Sequence, residues 1–122
     1  MKITGAATMF PVSNLEVSLR FFKDVLGFSE DFRFGQYAGI KRDDCCIHLS
    51  AHGNPNTGTP GSACIYIFCD EVDDFYASLK RLDCRTDSPP KDYAYGMRDF
   101  IARDPDGNQI TFGAPTAGES IT

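Results

Sequence analysis

Tyr95-Gly96-Met97-Arg98-Asp99-Phe100-Ile101-Ala102-Arg103-Asp104-Pro105-Asp106-Gly107-Asn108-Gln109-Ile110-Thr111-Phe112 is the stretch that decides how this chain folds. At its centre, Asp104-Pro105-Asp106-Gly107 is a turn with a physical cause. The Asp104 carboxylate can accept from the turn backbone, Pro105 presets φ at the second position, and Gly107 tolerates positive φ where the chain reverses. Residues 99–103 and 109–112 flank the turn as strands, so the stretch predicts a β-hairpin.

Two segments upstream carry the helical period. Leu15, Leu19, Phe22, Val25 and Leu26 make one apolar stripe, and Val72, Phe75, Tyr76, Leu79 and Leu82 make another. Ser13-Asn14-Leu15-Glu16 fits a capping box at the first start, and Gly27 fits a C-terminal stop. The acidic run Asp70, Glu71, Asp73 and Asp74 suits the N-terminus of the second helix. Helices this short and amphipathic need a sheet to lie on.

The two stripes superimpose at an offset of 57, Leu15 on Val72, Leu19 on Tyr76, Phe22 on Leu79 and Val25 on Leu82. A strand candidate precedes each helix, at residues 4–12 and 63–69. Residues 28–34, 36–41 and 45–51 follow the first helix as strands. A weaker candidate at 84–88 and the two hairpin strands follow the second. The order βαβββ therefore occurs twice. This predicts an α+β domain of duplicated βαβββ modules forming a curved mixed sheet with the helices on its outer face. The domain is expected to span residues 1–122, with module 1 at about 3–52, a linker at 53–61 and module 2 at about 62–114.

The string GMRDF…DPDGN…TF resembles the last hairpin of the vicinal oxygen chelate superfamily, which includes glyoxalases, bleomycin-resistance proteins and dioxygenases. It is most similar to the bleomycin-resistance branch, where (W/Y)GxR(D/E)F precedes DPxGN. Val12-Ser13-Asn14-Leu15-Glu16, Ser18-Leu19-Arg20-Phe21-Phe22 and Val25-Leu26-Gly27-Phe28 resemble that family's first-helix signature. Asn14 stands at the usual Asp, and Phe21-Phe22 stand at the usual FY pair. The resemblance covers residues 3 to about 114 and implies the paired-module fold. In the family's enzymes a divalent metal is held by side chains from the first and last strands of each module. Those positions fall here on Ala7, His48, Cys64 and Thr111. Ala7 carries no donor and Thr111 only a hydroxyl, whereas a catalytic zinc usually has three protein ligands. No metal or other cofactor is expected, and no catalytic residue is assigned. Cys46 and His48 share a strand face, but nothing orients them as a nucleophile pair.

Composition narrows the function from another direction. The 122 residues carry a net charge of −5, which argues against a nucleic-acid partner. No apolar run approaches the ~20 residues of a membrane span, and the N-terminus is not a convincing leader. Five cysteines, an odd count without Cys-x-x-Cys, point to reduced thiols and a cytoplasmic location.

Strand alternation predicts the open face of the sheet. Met9, Tyr66 and Phe68 point into it, accompanied by His48, while Thr8, Phe10, Ile65 and Ile67 point to the helices. The candidate ligand contacts are Tyr66, Phe68, His48, Arg98, Met9 and Tyr95. For Arg98 the competing reading is an ion pair with Asp99 or another hairpin carboxylate. Phe32, Phe34, Tyr37, Tyr93 and Tyr95 either rim the groove or serve as packing and dimer contacts. The resemblance then implies a metal-free binding protein and a homodimer. It would sequester an aromatic or glycopeptide-like small molecule in a groove at the dimer interface, a route to antibiotic resistance. The alternative is a metal-dependent lyase or oxygenase of the glyoxalase–dioxygenase type using non-standard ligands.

Overall fold

Asn14 starts the first helix. Its backbone is extended and its side-chain oxygen accepts the Val17 N–H at 3.0 Å, so Asn14, rather than the Ser13 of the expected capping box, is the cap. Glu16 turns outward instead and pairs with Arg33. The computed structural model describes residues 1–55 and 57–116; residue 56 of the linker and residues 117–122 lie outside the described residues. The chain order is β1 (Thr8–Pro11), α1 (Leu15–Asp24), β2 (Ser29–Phe34), β3 (Tyr37–Arg42), β4 (Cys45–Ser50), β5 (Cys64–Phe68), α2 (Val72–Arg81), β6 (Lys91–Asp92), β7 (Met97–Arg103) and β8 (Gln109–Pro115). This is the α+β, twice-βαβββ architecture that the sequence predicts.

The strands form two four-stranded mixed sheets, ordered β1-β4-β3-β2 and β5-β8-β7-β6. In each, the first strand of the module runs parallel to the last, and the remaining pairs are antiparallel. The duplication extends to the register. Met9 faces His48 across β1–β4, and Tyr66, which lies 57 residues after Met9, faces Thr111 across β5–β8. β1 and β5 are edge strands with one unpaired side each. The β1 ladder begins at Thr8, which pairs with Ile47 of β4. Residues 4–7, part of the expected strand, are exposed chain outside β1.

A second difference lies before the hairpin. Residues 84–88 contribute one isolated bridge, Thr86 to Ala102, and the strand proper is the two-residue β6 beyond Pro89-Pro90. Two prolines in succession offer no N–H to a ladder, which confines regular pairing to Lys91 and Asp92.

Alternation along the strands sorts core from surface. Phe10, Ile47, Leu49, Phe100 and Ile110 are buried on the helix side. Phe22 of α1 is fully buried and meets Phe10, Phe21 and Phe28 edge-on at ring separations of 6.0, 5.4 and 5.6 Å. One contiguous apolar cluster runs through both halves. No described helix is long and apolar enough to cross a membrane.

The Asp104-to-Asn108 turn does more than reverse the chain. Asp104 Oδ1 accepts the N–H groups of Asp106 and Asn108 at 3.0 and 2.7 Å, and Gly107 takes φ +88°. The fully buried Asn108 then links three segments. Its Nδ2 donates to Asp104 Oδ2 and to the Pro11 carbonyl, and its Oδ1 accepts from the Ala63 N–H at 2.9 Å. Truncating it would leave several buried polar groups without partners. Asn108→Ala is expected to lower the unfolding free energy by about 2–4 kcal/mol in urea denaturation. A change below about 0.5 kcal/mol would contradict this assignment.

Candidate functional site

Each sheet turns one face toward its helix and leaves the other open. On the second sheet the open face is aromatic. Tyr66 and Phe68 alternate with the half-buried Ile65 and Ile67 along β5, and Phe68 is 78% exposed. Their rings lie 5.2 Å apart. From the loop before β7, Tyr93 and Tyr95 stack at 5.3 Å with their planes 3° apart.

A carboxylate joins the two aromatic pairs. Asp99, 5% exposed, accepts both the Tyr66 hydroxyl at 2.8 Å and the Tyr95 hydroxyl at 2.6 Å on the same oxygen, Oδ2. Register explains the reach. Phe68 faces Gly113 and Gly113 faces Asp99, so the three form one row across β5, β8 and β7. Because Gly113 has no side chain, the Tyr66 ring can lie across β8; a Cβ there would collide with the hydroxyl. Burial, then the Asp99 hydrogen bond, raise the Tyr66 phenol well above its ordinary range. The hydrogen bond to Asp99 is the first cause that pushes Tyr95 up to about 12. A raised phenol keeps its proton, so both hydroxyls remain donors far into alkaline solution.

Beside the free edge of β5 runs a cleft of about 880 Å³. Tyr66 and Phe68 form part of its wall, and Ala7, Cys45 and Cys46 contribute from the first module. Arg42 also lines the cleft, with its guanidinium 5.3 Å from the Phe75 ring centre.

The first sheet carries a smaller polar–aromatic patch. Met9, His48, Gly39 and Phe32 form one cross-strand row. His48 Nδ1 bonds the Tyr37 hydroxyl at 2.8 Å, and the Phe32 ring meets the imidazole edge-on at 5.1 Å. Of the six expected ligand contacts, Tyr66, Phe68 and Tyr95 thus come together on one sheet, and Met9 and His48 on the other. Arg98 does not join either patch. It alternates with Asp99 along β7, and its guanidinium pairs with Asp73 at 2.9 Å and Asp92 at 3.1 Å. Its place in the groove is corrected on that ground, and its carboxylate partners are not Asp99. Sequence reasoning passed over Asp99 itself. Its register with Gly113 and Phe68 is the signal that would have placed it on the open face.

The four positions at which the resemblance would place a metal make a poor donor set. Ala7 has no donor atom, Thr111 is 7% exposed, and His48 Nδ1 is engaged by Tyr37. Among the described residues, no three His, Cys, Asp or Glu side chains gather as a ligand set. The residues present do not fit a resident divalent ion.

Duplicated βαβββ modules with open inner faces define a class of small paired-module proteins. Within it, this chain belongs to the Glyoxalase/Bleomycin resistance protein/Dioxygenase superfamily, whose family model matches residues 6–112. The fold is similar to that of a glyoxalase/bleomycin resistance protein/dioxygenase from Nocardioides. That match has a TM-score of 0.80 at 20% identity and covers 100% of this chain and 89% of the other. The chain is also similar to the bleomycin-binding protein of bleomycin-producing Streptomyces verticillus, solved with copper(II)-bleomycin. Here the TM-score is 0.76 at 26% identity, with 93% and 98% of the two chains covered. TnmS3, an antibiotic binding protein from a Streptomyces species, matches with a TM-score of 0.79 at 27% identity over 95% and 99%. No curated protein sequence matches the chain.

The Tyr66–Asp99–Tyr95 bridge has a spectroscopic consequence. In an ultraviolet pH titration of the tyrosines, Tyr95 should ionise at about 12. Asp99→Asn should bring it back toward the ordinary value of about 10. Tyr66 should move less, because burial is its first cause. Identical titrations for the two proteins would refute the bridge.

Proposed function

We propose that this protein binds and sequesters an aromatic or glycopeptide-like small molecule without a metal. The observation that carries this reading is the open aromatic face of Tyr66, Phe68, Tyr93 and Tyr95. Flat rings held at stacking distance, with a few hydroxyls at their edges, recognise planar or amphiphilic ligands. The similarity to a bleomycin-binding protein and to an antibiotic binding protein supports the same class of ligand. Holding a drug in this way would confer resistance by lowering its free concentration.

The binding form in this proposal is a homodimer working in a reducing, cytoplasmic compartment, to which five unpaired cysteines point. Two features support the dimer. β1 and β5 each keep an unpaired edge, and Phe34 and Phe68 leave 85% and 78% of their surface exposed. Joining the first sheet of one copy to the second sheet of another would set Met9 and His48 opposite Tyr66 and Phe68 in one groove.

Four measurements test the proposal. Light scattering at micromolar concentration should give twice the 13.5 kDa chain mass. A chelator should leave the melting temperature unchanged; a fall of several degrees restored by zinc or manganese would instead support the metal-dependent alternative. Bleomycin and planar heteroaromatic compounds, screened by thermal shift, should include at least one that raises the melting temperature. Tyr66→Ala should weaken that ligand about tenfold, the equivalent of ~1.4 kcal/mol, with circular dichroism unchanged. Equal affinity in a folded Tyr66→Ala variant would place binding elsewhere.

A further inference from the structure

The open aromatic face contains a charged group that the protein itself does not neutralise. Asp99 is buried, yet among the described residues no Lys or Arg nitrogen pairs with it; the five ion pairs all involve other carboxylates. Lys91 faces it in register across β6–β7 but is exposed and makes no ion pair with it. The carboxylate is also half used. Oδ2 accepts two tyrosine hydroxyls, while Oδ1 receives no hydrogen bond from the described residues. Oδ1 is not sealed either, since Ser18 Oγ is the sole unpartnered side-chain N or O shut off from solvent among the described residues.

A buried carboxylate is costly unless it is paired or well hydrogen-bonded. Two hydroxyls on one oxygen meet part of that need. What remains is an acceptor oxygen and a negative charge at the base of an aromatic surface. A protonated nitrogen satisfies both at once. It donates a charge-assisted hydrogen bond to the oxygen, and its charge is attracted to the faces of the surrounding rings. A neutral ligand of the same shape can do neither.

We propose that the Asp99 carboxylate, bordered by Tyr66, Phe68 and Tyr95, is a subsite for a protonated amine carried by a planar aromatic ligand. The inference rests on the reading of this face as a small-molecule site and adds the charge its ligand carries. It also gives the two tyrosine hydroxyls a positioning role. By occupying Oδ2, they leave Oδ1 as the one oxygen offered to a ligand.

The test compares two dyes that share one planar ring system by fluorescence titration at mildly alkaline pH, where 9-aminoacridine is a cation and acridine is neutral. Wild type should bind 9-aminoacridine at least about tenfold more tightly. Benzylamine, protonated at this pH, should displace it, and benzyl alcohol at the same concentration should not. Asp99→Asn keeps an acceptor for the tyrosines and removes the charge; it should bring the two dyes within about twofold of each other. Asp24→Asn, on the exposed end of α1, changes net charge equally and should retain the preference. The wild-type comparison and the displacement need no variant to fold. Equal binding of both dyes by wild type would overturn the amine subsite and leave the groove standing. A preference surviving in Asp99→Asn would overturn the role of Asp99 and assign the selectivity to the acidic surface at large. Binding of neither dye would overturn both the subsite and the small-molecule reading of this face.

Discussion

The structure depends on one buried polar node, the Asp104–Asn108 pair. Burial raises the Asp104 carboxyl above its usual range, and three hydrogen bonds from Asp106 and Asn108 oppose that penalty. Asn108 then fastens the hairpin to the end of β1 and the start of β5. The contact to Pro11 spans 97 positions and ties the second module to the first, and the contact to Ala63 spans 45 positions within the second, where local propensity cannot act. The aromatic face inherits this order. β8, which leaves the node, lies between the strand that carries Tyr66 and the strand that carries Asp99.

The two halves share a strand order and register, yet they have come to hold different chemistry. Met9 and Tyr66 occupy the same place in their modules, as do His48 and Thr111. The first module places a hydrogen-bonded imidazole among Phe32 and Tyr37, and the second places a carboxylate among tyrosines. One open face thus carries a thioether and an imidazole, and the other a carboxylate. A ligand spanning both would meet unlike surfaces at its two ends.

Periodicity revealed much of this fold. The apolar stripes and the DPDG turn located both helices and the last hairpin, because burial and turn geometry are written in neighbouring residues. The same alternation put Tyr66 and Phe68 outward and Ile65 and Ile67 inward. What local reading missed depended on pairing. Residues 4–7 have strand-like composition, yet the ladder to β4 starts only at Thr8. Arg98 sits beside Asp99 in sequence and on the opposite face in space, where α2 supplies Asp73. The bridging role of Asp99 needed the alignment of β5, β8 and β7, which no short window contains.

Gly113 shapes the open face by what it lacks. The Tyr66 ring lies over its bare backbone, and on the first sheet the Phe32 ring lies over Gly39 in the same manner. In each half the floor on which a ligand would rest is therefore set by a missing carbon on the side away from the core. The packing that holds the fold lies on the other side of the same strands. Adaptation can consequently widen, tilt or narrow this floor one methyl at a time while the scaffold beneath stays as it is. A protein built so can change what it recognises without first changing how it folds.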